Sequence, residues 1–116
     1  MVNKYMPKIG DIVFIDMNPV KGHEQGGYRP AVVISKDVFN KNTKMVIVCP
    51  ITSNIKDFPT HYIIKNSKKI SGAVLCEHVR SIDYEQRKLK YIEKMEDSDF
   101  ENVMRLFYAC LDKDDF

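Results

Sequence analysis

The passage K-G-H-E-Q-G-G-Y-R-P-A-V-V-I-S from Lys21 to Ser35 restricts the fold most, because a polar, glycine-hinged loop runs straight into a block of branched apolar residues. Ala31 to Ile34 is too short for a stable helix, and branched side chains suit a pleated surface, so the block reads as a strand covered on both faces. Pro30 opens the strand, where a missing N–H costs least. Glycines at 22, 26 and 27 permit backbone angles that other residues avoid, which allows His23, Glu24 and Gln25 to turn toward one small volume. Arg29 stands at the junction. A guanidinium fixed at a strand mouth is a rigid, permanently charged fork that matches phosphate oxygens better than a mobile lysine does.

Other short runs repeat the pattern. Ile12 to Met17 reads as a strand ended by Asn18-Pro19, and Met45 to Val48 as a buried strand ended by Pro50 and the locally bonding Thr52-Ser53-Asn54. His61 to Lys65 and Ala73 to Cys76 add further strands, Leu89 to Ile92 a weaker one, and Asp37 to Asn42 one helical turn or a polar loop. The long helix is expected to begin at the capping-box pattern Ser98-Asp99-Phe100-Glu101. Its stripe of Phe100, Val103, Met104, Phe107, Tyr108 and Leu111 should face a sheet, with Glu101, Asn102 and Arg105 in water. Short, closely spaced strands followed by one helix predict a mainly β, α+β fold, a small and strongly bent antiparallel sheet or barrel with the C-terminal helix packed on it. One helix covers so small a core incompletely, so a second copy is expected to bury a face.

The 116 residues make one domain, 1–116, with room for a single core and none for a separate binding domain. No stretch approaches the roughly 20 apolar residues of a membrane helix, and Met1 to Met6 lacks the apolar centre of a signal peptide, so the cytoplasm is expected. Cysteines at 49, 76 and 110 are odd in number and lie within apolar runs, which favours reduced, buried thiols over a disulfide framework or zinc knuckle. A net charge of +2 decides nothing about partners. Lys65, Lys68, Lys69 and Arg87, Lys88, Lys90 form local basic clusters that suit either RNA or plain solvation.

The chain has no H-E-x-x-H, no C-x-x-C, no carboxylate cluster of the two-metal kind and no phosphate loop of the G-x-x-x-x-G-K-[ST] type. No metal or other cofactor is therefore expected, and nucleotide triphosphatases are set aside. Metal-free RNA cleavage needs a group to take the 2'-hydroxyl proton, one to protonate the departing 5'-oxygen, and a fixed positive donor for the charge on phosphorus. His23, Glu24 and Arg29 supply those types.

The block G-H-E-Q-G-G-x-R-P-A-V-V-I-S, preceded by G-D-I-V-F-I-D-M-N-P and followed by V-C-P-I-T-S and L-C-E-H-V-R-S-I-D, resembles the MazF/PemK/Kid family of toxin endoribonucleases over nearly the whole chain. The resemblance implies an SH3-like barrel, a homodimer, and sequence-specific cleavage of single-stranded RNA that leaves a 2',3'-cyclic phosphate and a 5'-hydroxyl. It also implies growth arrest and a MazE-like antitoxin, whose acidic tail folds over the dimer and with which DNA is bound. It places an essential arginine at Arg29 and a catalytic threonine at Thr52. Arg29 would hold the scissile phosphate and is too basic to serve as the base, Thr52 would donate to a phosphate oxygen or cap the turn at its strand end, and Ser53 could serve either role.

Histidine titrates nearest neutrality, which makes His23 the natural proton shuttle. Kid-like members pair it with an arginine and an aspartate where this chain has Leu75 and Glu77, so the MazF-type arrangement around Arg29 and Thr52, assisted by His23 and Glu24, is expected. Gln25, Ser53, Glu77, His78 and Arg80 are the candidate substrate contacts, since carboxylates accept from amino edges and arginine bonds or stacks on exposed bases. His61 is expected to be structural. Tyr28 or Phe58 could offer a stacking platform or make a core or dimer contact. The main rival is a non-catalytic topoisomerase poison of the CcdB type, but such proteins end W-G-I, whereas this chain has no tryptophan and ends D-K-D-D-F. A barrel that binds RNA without cutting it is the third reading, and the presence of both Arg29 and Thr52 argues against it.

Overall fold

In a computed structural model, which describes residues 5–24 and 26–113, the apolar blocks form strands and the periodic segment forms a helix. The order is β1 (Asp11–Asp16), β2 (Tyr28–Val33), α1 (Asp37–Thr43), β3 (Met45–Thr52), β4 (His61–Ile63), β5 (Ala73–Leu75), a 3-10 turn (Cys76–His78), β6 (Arg80–Asp83), β7 (Lys90–Lys94) and α2 (Asp97–Leu111). The strands pair antiparallel along the path β4-β5-β3-β2-β1-β7, and β6 also pairs with β3. This is the expected α+β class with a C-terminal helix. Among the described residues β4 and β7 do not pair, so hydrogen bonds do not close the sheet into a barrel.

Alternation along the strands builds two cores. Ile12, Val32, Ile34, Cys49, Ile51, Val74 and Cys76 lie on one side with Met95 and Val103, and α2 covers them with Phe100, Met104, Leu106 and Phe107. Val13, Ile15, Met17, Ala31, Val33, Val46 and Val48 lie on the other, with Ile82 and Tyr84. The double coverage expected of Ala31 to Ile34 is thus observed, with odd and even positions feeding different cores. Cys49 and Cys76 are buried free thiols and Cys110 is a half-buried one.

The third strand overruns its expected end. Its residues Met45 to Val48 pair with β6, and Ile51 and Thr52 pair with β5, so Pro50 falls between two partners on that side. On the other side Pro50 opposes Ala31. Because the Ile34 N–H donates to the Ile47 carbonyl at 2.9 Å, alternation makes Ala31–Pro50 a non-hydrogen-bonded pair. The proline nitrogen therefore points away from β2, and no ladder bond is lost.

Two helix expectations are corrected. Ser98 and Glu101 form no capping box, and α2 starts after Glu96 without a side-chain cap bond. Asp99 is buried at 1% exposure and accepts from the Tyr62 hydroxyl at 2.5 Å and from the Asn66 N–H at 3.0 Å. The carboxylate thus ties the loop after β4 to the helix. Tyr108 and Leu111, expected on the sheet side, are 60% and 66% exposed, and Leu106, outside the expected stripe, packs against the core. Asp37–Thr43 is a true short helix, anchored by buried Asn40, whose Nδ2 donates to the Pro7 carbonyl at 3.1 Å. No helix among the described residues is long and apolar enough to cross a membrane.

Candidate active site

The junction between β2 and β3 places the leading candidates. The β2–β3 ladder pairs Ala31 with Pro50, Val32 with Cys49 and Val33 with Val48. Carrying that register two residues further sets Arg29 across from Thr52, both with the parity of Ala31, Val33, Val46 and Val48 and hence on one face. Arg29 and Thr52 line one open cavity of about 440 Å3, together with His23, Ser53, His61, Glu77 and His78.

Arg29 is half-buried, and its Nε donates to the Gly26 carbonyl at 2.7 Å. That bond fixes the plane of the fork. A side chain at position 26 would meet the Asn18 Oδ1 at 2.8 Å and the Val20 Cγ2 at 2.9 Å, so it would have to displace both side chains, where glycine fits as they stand. Burial lowers the Arg29 pKa, a penalty that an incoming phosphate would relieve. Thr52 is 8% exposed, and its Oγ1 accepts the Asn54 N–H at 3.1 Å. Among the described residues its hydroxyl proton has no acceptor, so the group caps the turn and can still donate outward.

Glu24 and Arg80 lie in an adjoining cavity of about 310 Å3 that shares His23, Glu77 and His78 with the first. His23 therefore borders both, on an exposed loop that stands between them. The Glu24 carboxylate accepts the Lys21 N–H at 2.6 Å, which closes the loop's turn. Arg80 donates to the Met17 carbonyl and braces the end of β1. Gln25 lies outside the described residues.

Sequence reasoning did not bring Asn54, Lys56 or His61 to this cavity, although all three line it. His61 Nε2 sits 2.7 Å from Glu77 Oε2, and Thr60 donates to Glu77 Oε1 at 2.8 Å. His61 Nδ1 lies 3.3 Å from the Lys56 carbonyl, so both ring nitrogens face acceptors. Burial raises the Glu77 pKa, but bonds from Thr60, from its own backbone and from His61, with the charge of His61, outweigh it and hold the carboxyl below its usual range. The signal available in the sequence was T-H at Thr60-His61 opening one short strand and C-E-H directly after the next. Among the described residues no three His, Cys, Asp or Glu side chains are arranged to hold a metal ion.

Residues 8–111 match the family model described as PemK-like, MazF-like toxin of type II toxin-antitoxin system. The chain belongs to this toxin family. It is 37% identical over 87 residues to the endoribonuclease toxin MazF of Escherichia coli (strain K12), a match covering 75% of this chain and 78% of that one. The crystal structure of MazF from Deinococcus radiodurans (Form-I) superposes with a TM-score of 0.88 at 32% identity, covering 93% of this chain and 98% of that one. A MazE-MazF structure from the same organism (Form-II) gives 0.81 at 32% identity, covering 93% and 97%. Within the PemK/MazF family this chain carries Leu75 on the cavity wall and commits Glu77 to Thr60 and His61. The carboxylate at that position is braced against a histidine here, with no arginine beside it at 75.

Proposed function

We propose that this chain is the endoribonuclease toxin of a type II toxin–antitoxin pair, cutting single-stranded RNA at chosen sequences without a metal ion. The 2'-oxygen bonds to the adjacent phosphorus as the P–O5' bond breaks, which yields a 2',3'-cyclic phosphate and a 5'-hydroxyl. The observation that carries this reading is that Arg29 and Thr52, from different strands, line one open cavity. A guanidinium and a hydroxyl on one side of a phosphate stabilise the charge that builds up at the pentacoordinate stage. His23 moves the proton, taking it from the 2'-hydroxyl or returning one to O5', with Glu24 beside it. Ser53, Glu77, His78 and Arg80 line the path of the flanking bases, and Gln25, outside the described residues, is a further contact suggested by the sequence motif alone. A topoisomerase poison of the CcdB type is not favoured by the family match.

The partner is a MazE-like antitoxin, which the Deinococcus radiodurans complex supports, and the toxin works in the cytoplasm as a homodimer, binding DNA only with that partner. A groove along one flank of α2, where the rims of Phe100 and Met104 meet Tyr108 and Ala109 beside Glu101, Arg105 and Asp112, supports pairing with a second copy. The test is cleavage of a long unstructured transcript in excess chelator, with both new ends identified. Cleavage should persist and leave cyclic phosphates, and Arg29→Ala should lose about 1000-fold in rate while keeping its melting temperature. Equal rates for Arg29→Ala and parent would remove the guanidinium from the chemistry.

A further inference from the structure

Next to Arg29 in β2, Tyr28 points to the opposite face of the strand and is 62% exposed. Its ring lies parallel to Phe14, with centroids 5.4 Å apart and planes 5° from coincidence. An exposed tyrosine held flat by an aromatic behind it loses little freedom when another ring stacks on its open side. Beside it opens a cavity of about 570 Å3 bordered by Asp16, Asn18, Gln86, Arg87 and Lys88. Arg87 uses Nη1 on the Asp16 carbonyl at 2.8 Å and on the Asn18 carbonyl. Among the described residues its Nε and Nη2 make no hydrogen bond. Asp16 Oδ1 accepts the Asn18 N–H at 2.9 Å, which leaves its second oxygen for an amino group. A flat ring, two cations and a carboxylate acceptor around one opening match a nucleotide: base on the ring, phosphate on the cations, base amino group on the carboxylate.

We infer that this cavity is a subsite for a nucleotide flanking the cleaved bond, with Tyr28, backed by Phe14, as its stacking platform. The inference rests on the ribonuclease reading. Because Tyr28 and Arg29 are consecutive, an RNA strand leaving the guanidinium reaches the platform by rounding the mouth of the β1–β2 hairpin. The platform therefore lies a few nucleotides from the cut and strengthens binding of long RNA without touching the reacting atoms.

The experiment measures affinity for 2'-O-methyl oligonucleotides, which bind but cannot be cut, centred on a mapped cut site and lengthened on either side. Where no cut site maps, mixed-sequence oligonucleotides of the same lengths serve. Lengthening toward the platform should tighten binding to the parent. Tyr28→Ala should lose about tenfold of that gain, or about 1.4 kcal/mol, Tyr28→Phe should keep it, and the shortest oligonucleotide should bind all three equally. Tyr28→Ala matching the parent at every length overturns the subsite, as does an equal loss on the shortest oligonucleotide. So does a Tyr28→Ala that keeps RNA affinity but loses the antitoxin, which makes this a protein-docking face. Failure of the parent to cut unmodified RNA counts against the ribonuclease reading alone, since the length dependence is measured without cleavage.

Discussion

Replacing Gly72 with alanine tests whether the strand packing at Thr52 sets the site. Gly72 has φ +136°, and a Cβ built there would lie 2.3 Å from the Thr52 carbonyl oxygen and 3.0 Å from its carbon. The obstacle is backbone, so no side chain can rotate out of the way. Thr52 pairs with Ala73, and the Ile64 N–H donates to the Gly72 carbonyl at 2.9 Å, so β3 and β4 trap the glycine between them. Relief needs β3 and β5 to part by about 1 Å, a strain of about 1–3 kcal/mol for overpacking plus a similar amount for the unfavourable φ. A total near 3 kcal/mol lowers the melting temperature by about 12 °C in a domain of this size. A shift of about 1 Å at Thr52 also costs about 100-fold in cleavage rate, measured at a temperature where the variant is folded. Gly10→Ala is the control, because φ there is +86° but its Cβ would meet only the flexible Lys94 side chain, at 3.3 Å. It should lower the melting temperature and spare the rate. A Gly72→Ala protein that melts and cuts like the parent would refute the argument.

Thr52→Val removes the hydroxyl and keeps the shape, so single-turnover cleavage should fall about 100- to 1000-fold, with Thr52→Ser close to the parent. Loss of the turn cap should cost about 1 kcal/mol, and a fall in stability without a fall in rate would make Thr52 purely structural. Asp99→Asn should lower stability in urea unfolding by about 2 kcal/mol, since Tyr62 and the backbone of Asn66 lose a charged acceptor; an unchanged midpoint would mean that the loop is held otherwise. Glu77→Gln tests the acid limb. The folded carboxyl titrates below its ordinary value of about 4.3, so its contribution is complete above that pH and is lost as pH falls through the folded pKa. The gap in melting temperature between parent and Glu77→Gln should therefore be widest near neutrality and close in strong acid; a gap that widens with acid would reverse the assignment.

The strands were legible where an apolar block met a proline or glycine, and less so where tertiary context decided. Arg80 to Asp83 buries only Ile82 fully, too little to announce a strand before β3 supplied its partner. Pro50 reads as a stop only if its nitrogen faces a neighbour, and that depends on the phase of a ladder the sequence does not show. Ser98 reads as a cap although the helix starts after Glu96, and Asp99 within its first turn gives its carboxylate to the turn at Asn66, far away in the chain. His61 likewise reads as structural until β4 pairs with β5 and brings it to Glu77, where it both braces a carboxylate and walls the cavity. Arg29 stood out by its place at a strand mouth, whereas the role of Thr52 came from motif resemblance; no spacing rule would have joined them.

What joins them is parity. Slipping β2 by one residue against β3 would carry Arg29 to the face of Tyr28 and bring Tyr28 to the cavity, because side chains alternate with a period of two. The same slip would move Ala31 and Val33 into the core under α2, and Val32 and Ile34 into the other, and both sets are apolar. Hydrophobicity therefore discriminates poorly between the two registers in this strand. The burden falls on size and on the ends: Ala31 is small where Val32 is not, Pro30 cannot donate to a ladder, and Gly26, fitted against Asn18 and Val20, presents the carbonyl that meets the Arg29 Nε. In a strand buried on both faces, the residues that fix the candidate site are those flanking the apolar block, and substitutions at Pro30 and Gly26 should misplace the guanidinium before they unfold the domain.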